Sequence, residues 1–239
     1  MSMLLADPGF LRRLDDAVAD LLSDAGCTGP PVDAEWLARE HFRLHVCVDR
    51  RQPGRGRVQN LLGRAGQICL RAEDRPERRQ WTVAHELAEH RRAWLRTACG
   101  LAPGELSPGT AEELANQFAQ RLLVPTDWLR SALRDGEPDL LQLKKQFATA
   151  SHEVIAFRLL DLGEPSIVTV LDHGHVTRRR GRPWPAPRWL LPAEQECQRR
   201  GHLGSRPARL EGMGYVVDGW PIHELGWKRE ILRTVLAEG

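Results

Sequence analysis

The segment WTVAHELAEH, residues 81–90, carries the most pointed chemistry in the chain. His85-Glu86 opens an HExxH pattern, in which two imidazoles one helical turn apart bind zinc and the glutamate between them acts as a base. Here the place four after His85 holds Glu89, and a histidine follows one place late, at His90. An α-helix turns about 100° per residue, so His85 and Glu89 sit roughly 40° apart on one face. His90 sits about 140° round from His85 and joins that face only through a π-bulge or a helix end. The altered pattern keeps one imidazole, keeps the base at Glu86, and offers a carboxylate in place of the second imidazole. Zinc accepts carboxylate oxygen as well as imidazole nitrogen. Three readings of position 89 stand side by side: Glu89 as a ligand, Glu89 as a solvated side chain, and His90 as a substitute.

A third ligand can come from EELANQFAQRLLVP, residues 112–125. Glu112 precedes Asn116 by four residues, so both share a face. Glu112 can then bind the ion while Asn116 orients a ligand, for example His85. Glu113, about 100° away, fits capping better, with Thr110 as the N-cap three places earlier. The separation between His85 and Glu112 leaves room for a helix, a loop and a return helix packed antiparallel.

The elements that must position these groups follow from periodicity. Residues 8–25 place Leu11, Leu14, Val18, Leu21 and Leu22 at helical spacing, and Asp33 caps a second short helix. RLHVCV alternates as a strand, and VQNLLG with GQICLRA form a hairpin about Arg64-Ala65. Pro76 suits the first turn of a helix that carries His85 and runs to about Ala98. Residues 110–123 form the second long helix, and TDWLRSALRDG a short one closed by Gly136. Residues 139–162 read as a helix-turn-helix-like pair. Beyond Gly163, SIVTVLDHGHVTRR is a hairpin turning at His173-Gly174, AEQECQRRGH a short helix, and residues 214–236 two closing strands.

EELANQFAQRLLVP resembles the E-x-x-A-N-x-F-A-x-x-L-L-x-P signature of the ImmA/IrrE family of metallopeptidases, and WTVAHEL resembles the approach to that family's metal helix. KKQFATASHEVIAFRLLDLG is similar to the helical element after its peptidase core; the resemblance spans roughly residues 30–165. It implies a zincin-like core with two histidines and a glutamate on zinc, a glutamate that activates water, and repressor-type substrates. Motif by motif, His85 inherits the first ligand position, Glu86 the base and Glu112 the third ligand. The second histidine does not carry over, because this chain has Glu89 there. One histidine with two carboxylates nearly neutralises a divalent ion, so water on it is acidified less and zinc binds more weakly. Oxygen ligands also shift preference toward manganese or iron(II).

The expected fold is α+β: a zincin-like core over residues 1–137, a helical hairpin over 138–163, and a β-rich C-terminal appendage over 164–239 of unassigned role. The expected function is a metal-dependent protease acting on a cytosolic regulator or repressor, with a pseudo-peptidase that senses or binds protein as the alternative. A net charge of +2 among 239 residues is too mild to signal nucleic acid. The arginines and tryptophans of VTRRRGRPWPAPRW read as a solvated edge rather than a base-stacking surface. There is no apolar run of about 18 residues and no signal-peptide pattern, so a cytoplasmic location without membrane contact is expected. Five scattered cysteines without a CxxC pair read as reduced thiols. The second His-Glu pair, His223-Glu224 in IHELGW, lacks a partner motif and reads as structural.

Overall fold

A computed structural model describes residues 7–51, 54–59, 66–73, 75–102, 104–105, 107–134, 136–212 and 214–237. The chain divides into two compact units: Met1–Glu137 with Lys144–Ser151, and Pro138–Leu143 with His152–Gly239. The fold is mixed α+β, with a strand-rich C-terminal region.

In the first unit, α1 (Pro8–Asp24) starts where the Asp7 carboxylate accepts the Phe10 N–H at 2.7 Å, and it buries the heptad-like set read from sequence. α2 (Ala34–Trp36) is capped by Asp33 as expected and continues as one π-helical turn, Leu37–His41. A three-stranded sheet follows in the order β1-β3-β2, from β1 (His45–Val48), β2 (Gly56–Gln59) and β3 (Gln67–Leu70). β2 and β3 are antiparallel, as the hairpin reading requires; the expected turn at Arg64-Ala65 lies outside the described residues. β1 runs parallel to β3.

α3 (Pro76–His90) is the helix of the HE motif. It stops at His90 instead of reaching Ala98, and α4 (Arg92–Ala98) resumes after a break at Arg91. Arg91 leaves helical geometry (φ −98°, ψ 17°) with its guanidinium over the rings of Phe42 and Trp94. α5 (Pro108–Leu123) begins two residues earlier than read from sequence. Its N-cap is Ser107, whose hydroxyl accepts the Thr110 N–H at 3.2 Å, so Thr110 lies inside the first turn and Glu113 is not its capping-box partner. Pro108 fits that start because the first helical N–H groups have no intrahelical acceptor.

α3 and α5 pack together with Ala84, Ala88, Ala111, Ala115 and Ala119 among their buried residues, and such small side chains permit close approach of two axes. Arg121, 1% exposed, locks α5 to α1 through Asp15 at 3.1 Å. α6 (Thr126–Ala132) ends short of Gly136, and α7 (Leu140–Gln146) has residues in both units.

The second unit holds α8 (His152–Leu159), a 3-10 turn at Leu160–Leu162, and a five-stranded antiparallel sheet in the order β5-β4-β8-β7-β6. Its strands are β4 (Ser166–Asp172), β5 (His175–Arg182), β6 (Ala208–Gly212), β7 (Tyr215–Glu224) and β8 (Trp227–Leu236). The hairpin at His173-Gly174 and the two closing strands are present; β6 was not read from sequence. α9 (Pro192–Gly204) lies against β6, β7 and β8 over a core of Leu171, Ala193, Cys197, Val217 and Leu232. Gly219 lets it sit close: a Cβ there would fall 2.9 Å from the Cys197 sulfur.

Candidate functional site

A cleft of about 350 Å³ in the first unit is lined by Gly56, Arg57 and Val58 of β2, His85, Glu86 and Glu89 of α3, Arg92 of α4, and Glu112 of α5. All four residues singled out by the sequence for metal chemistry therefore border one space. Their engagements differ. His85 Nε2 lies 3.6 Å from Glu112 Oε2, which joins the two helices at the cleft. Two ligands of one tetrahedral zinc sit about 3.3 Å apart, given bonds of about 2.0–2.1 Å, so this pair fits a shared ion. The other carboxylate oxygen of Glu112 accepts from the Asn116 amide at 3.4 Å, so Asn116 supports Glu112 rather than His85.

Glu86 is 8% exposed and accepts the Val58 N–H at 2.8 Å. Among the described residues β2 pairs with β3 alone, so this outward-facing N–H of an edge strand needs an acceptor, and Glu86 supplies it. Burial raises the Glu86 carboxyl above its ordinary pKa; the His85 charge and the Val58 bond oppose this, and Glu112 adds to it. A raised pKa makes the carboxylate a better proton acceptor. Gly56 makes the contact possible, since a Cβ there would come within 2.5 Å of the Thr82 methyl and 2.9 Å of Glu86 Oε1.

Glu89 faces the cleft but its carboxylate contacts the Arg92 guanidinium three residues on. To serve as a ligand it must exchange that partner for the ion. His90, half-buried, packs edge-on to Phe42 with ring centroids 6.4 Å apart, and burial lowers its pKa. His90 is not among the residues that line the cleft.

Among the described residues, three acid or imidazole donor atoms lie within 4.8 Å of one another at one place, His202, His223 and Glu230 in the second unit. His223, read from sequence as structural, has a partner that no motif announces: its Nε2 lies 2.7 Å from Glu230 Oε1. The signal is non-local, because the three residues stand on α9, β7 and β8. The arginine-rich strand lies at a sheet edge with Arg178 and Arg180 exposed, as read, but three of its arginines are paired. Arg179 is buried in a two-pronged pair with Glu194, Arg178 meets Glu153, and Arg182 meets Asp161. The five cysteines are free thiols.

Among the described residues no helix is long and apolar enough to cross a membrane. No curated protein matches the chain. Among solved structures, a Mycobacterium tuberculosis transcriptional regulator is similar in fold, with a TM-score of 0.65 at 20% identity, covering 93% of this chain and 76% of that one. Residues 39–160, just over half of the chain, match the family described as Peptidase_M78, IrrE N-terminal-like domain, and this stretch contains His85, Glu86, Glu89, Glu112 and Asn116. The chain belongs to the Peptidase_M78, IrrE N-terminal-like family.

Proposed function

We propose that the chain is a cytoplasmic metal-dependent endopeptidase that cuts a regulator or repressor protein. The observation that carries this reading is the meeting of His85 and Glu112 at 3.6 Å from separate helices, beside a buried carboxylate of raised pKa. His85 and Glu112 would hold a zinc ion, with Glu89 completing the set once it leaves Arg92; manganese or iron(II) suits the oxygen-rich set as well. A divalent ion at such a site acidifies water and polarises a peptide carbonyl. Glu86 takes the proton from the attacking water and passes it to the leaving amine. β2 borders the cleft as an edge strand, so an extended peptide can add alongside it and present its carbonyl when the Val58 N–H passes from Glu86 to the peptide. Asn116 keeps Glu112 in place.

The test is a comparison of new protein N-termini in cells producing wild-type chain or Glu86→Gln. The peptidase reading expects cleavages that depend on Glu86 and vanish with His85→Ala. Identical N-terminal profiles in all three would overturn it. The second reading, a sensing module that binds protein without turnover, draws on the Glu89–Arg92 contact, in which a side chain of the chain itself engages the Glu89 carboxylate. It expects no zinc uptake at the cleft and the same partner binding by Glu86→Gln.

A further inference from the structure

We propose that His202, His223 and Glu230 form a zinc site in the second unit, separate from the cleft and independent of the peptidase reading. Glu230 is 1% exposed, and both imidazoles converge on the same oxygen: His202 Nδ1 and His223 Nε2 each lie 2.7 Å from Oε1. Its other oxygen, Oε2, is buried with no hydrogen-bond partner. A buried carboxylate with one oxygen left bare carries a large desolvation cost, and a cation gripped by both of its oxygens removes it.

The donor set selects the ion. Two imidazoles and one carboxylate are a borderline nitrogen-oxygen set suited to zinc, whereas calcium and magnesium favour all-oxygen shells. The three donor atoms lie within 4.8 Å of one another, within reach of the roughly 3.3 Å that separates tetrahedral zinc ligands. His202 lies in the last turn of α9 with its side chain 29% exposed, which leaves a fourth position open to water. The supporting partner is in place too. The Ser205 hydroxyl lies 3.1 Å from His223 Nδ1, where it can accept that N–H when Nε2 binds the metal. Ser205 is held in left-handed geometry (φ 49°) just past the end of α9. The ion would tie the end of this helix to β7 and β8.

The experiment uses the full chain carrying His85→Ala and Glu112→Ala, so that the cleft contributes no ion, stripped with chelator and titrated with zinc or cobalt(II). The site predicts one equivalent per chain, tetrahedral cobalt absorption, and a zinc-dependent rise in Tm. Adding His202→Ala should weaken affinity by more than the roughly 10–100-fold that loss of a supporting partner costs, and Ser205→Ala by about that supporting amount. Glu230→Gln should abolish binding; since it alters a buried group, the partly exposed His202→Ala carries the test if that variant does not fold. Failure of the cleft-deleted chain to take up zinc, or uptake unchanged by His202→Ala, overturns the site.

Discussion

Gly56→Ala probes the contact on which the cleft is built. The added methyl group would stand 2.5 Å from Thr82 Cγ2, 2.9 Å from Glu86 Oε1 and 3.1 Å from Glu86 Cγ, so β2 and α3 must separate. Overpacking of this kind costs about 1–3 kcal/mol. Separation also lengthens the 2.8 Å bond from the Val58 N–H to Glu86, and a hydrogen bond to a charged acceptor contributes about 1.5–3 kcal/mol. One movement causes both losses, so they overlap, and the expected destabilisation is about 2–4 kcal/mol. Thr82→Ser supplies the control. It removes Cγ2 while a serine hydroxyl can still donate to the Arg78 carbonyl, as Thr82 does at 3.0 Å. The double variant should recover about 1 kcal/mol relative to the sum of the singles. Denaturant unfolding of the full chain gives the stability, and amide exchange at Val58 reports on the strand itself. Stability within about 0.5 kcal/mol of wild type, with Val58 as protected as before, would refute the packing of β2 on Glu86.

Glu89→His restores an imidazole and should tighten zinc binding at the cleft about tenfold or more, or about 1.4 kcal/mol, by calorimetry; unchanged affinity removes position 89 from the coordination shell. Glu194→Ala should cost about 3–5 kcal/mol in denaturant unfolding, because Arg179 loses both of its hydrogen bonds to that carboxylate inside the second unit, and a loss under about 1 kcal/mol would contradict the burial of this pair. Asp172 is held below the ordinary carboxylate pKa, first by its hydrogen bonds from Arg229 at 2.6 and 2.9 Å and against the effect of burial. A depressed folded-state pKa gives stability that is complete above the unfolded value and is lost as pH falls through the folded one. Wild type should therefore exceed Asp172→Asn by about 1–2 kcal/mol at neutral pH, with the gap closing from roughly pH 4 downward; a gap independent of pH would refute the charge origin.

Local pattern was legible and partner choice across the fold was not. The buried faces of α1, α3 and α5 follow directly from apolar residues at helical spacing. The meeting of His85 with Glu112 follows from the same periodicity plus a return helix. The break at Arg91 had no glycine or proline to announce it in HRRAWLR; its guanidinium lies over Phe42, almost fifty residues earlier. The N-cap of α5 was misread by three residues because Thr110 and Glu113 imitate a capping box, while Ser107 followed by Pro108 supplies the actual one-sided cap. The Glu89–Arg92 contact was readable in principle, being an acid and a base three apart in sequence, and it survives the break at Arg91. The bond from Val58 to Glu86 was not, since it depends on which strand lies at the sheet edge.

The carboxylates at the two donor clusters differ in what they lack. In the cleft each one has a protein partner: Glu86 the Val58 N–H, Glu89 the Arg92 guanidinium, Glu112 the Asn116 amide and the His85 ring. Under the proposed reading an ion entering there would compete with groups already bound, Arg92 at Glu89 among them. At Glu230 both imidazoles serve one oxygen and the other has nothing to give up. Under the proposed reading, glutamate at position 89 therefore brings a resident cation to the ligand position, and a divalent ion would have to displace an exposed arginine whose pairing contributes only about 0.2–1 kcal/mol.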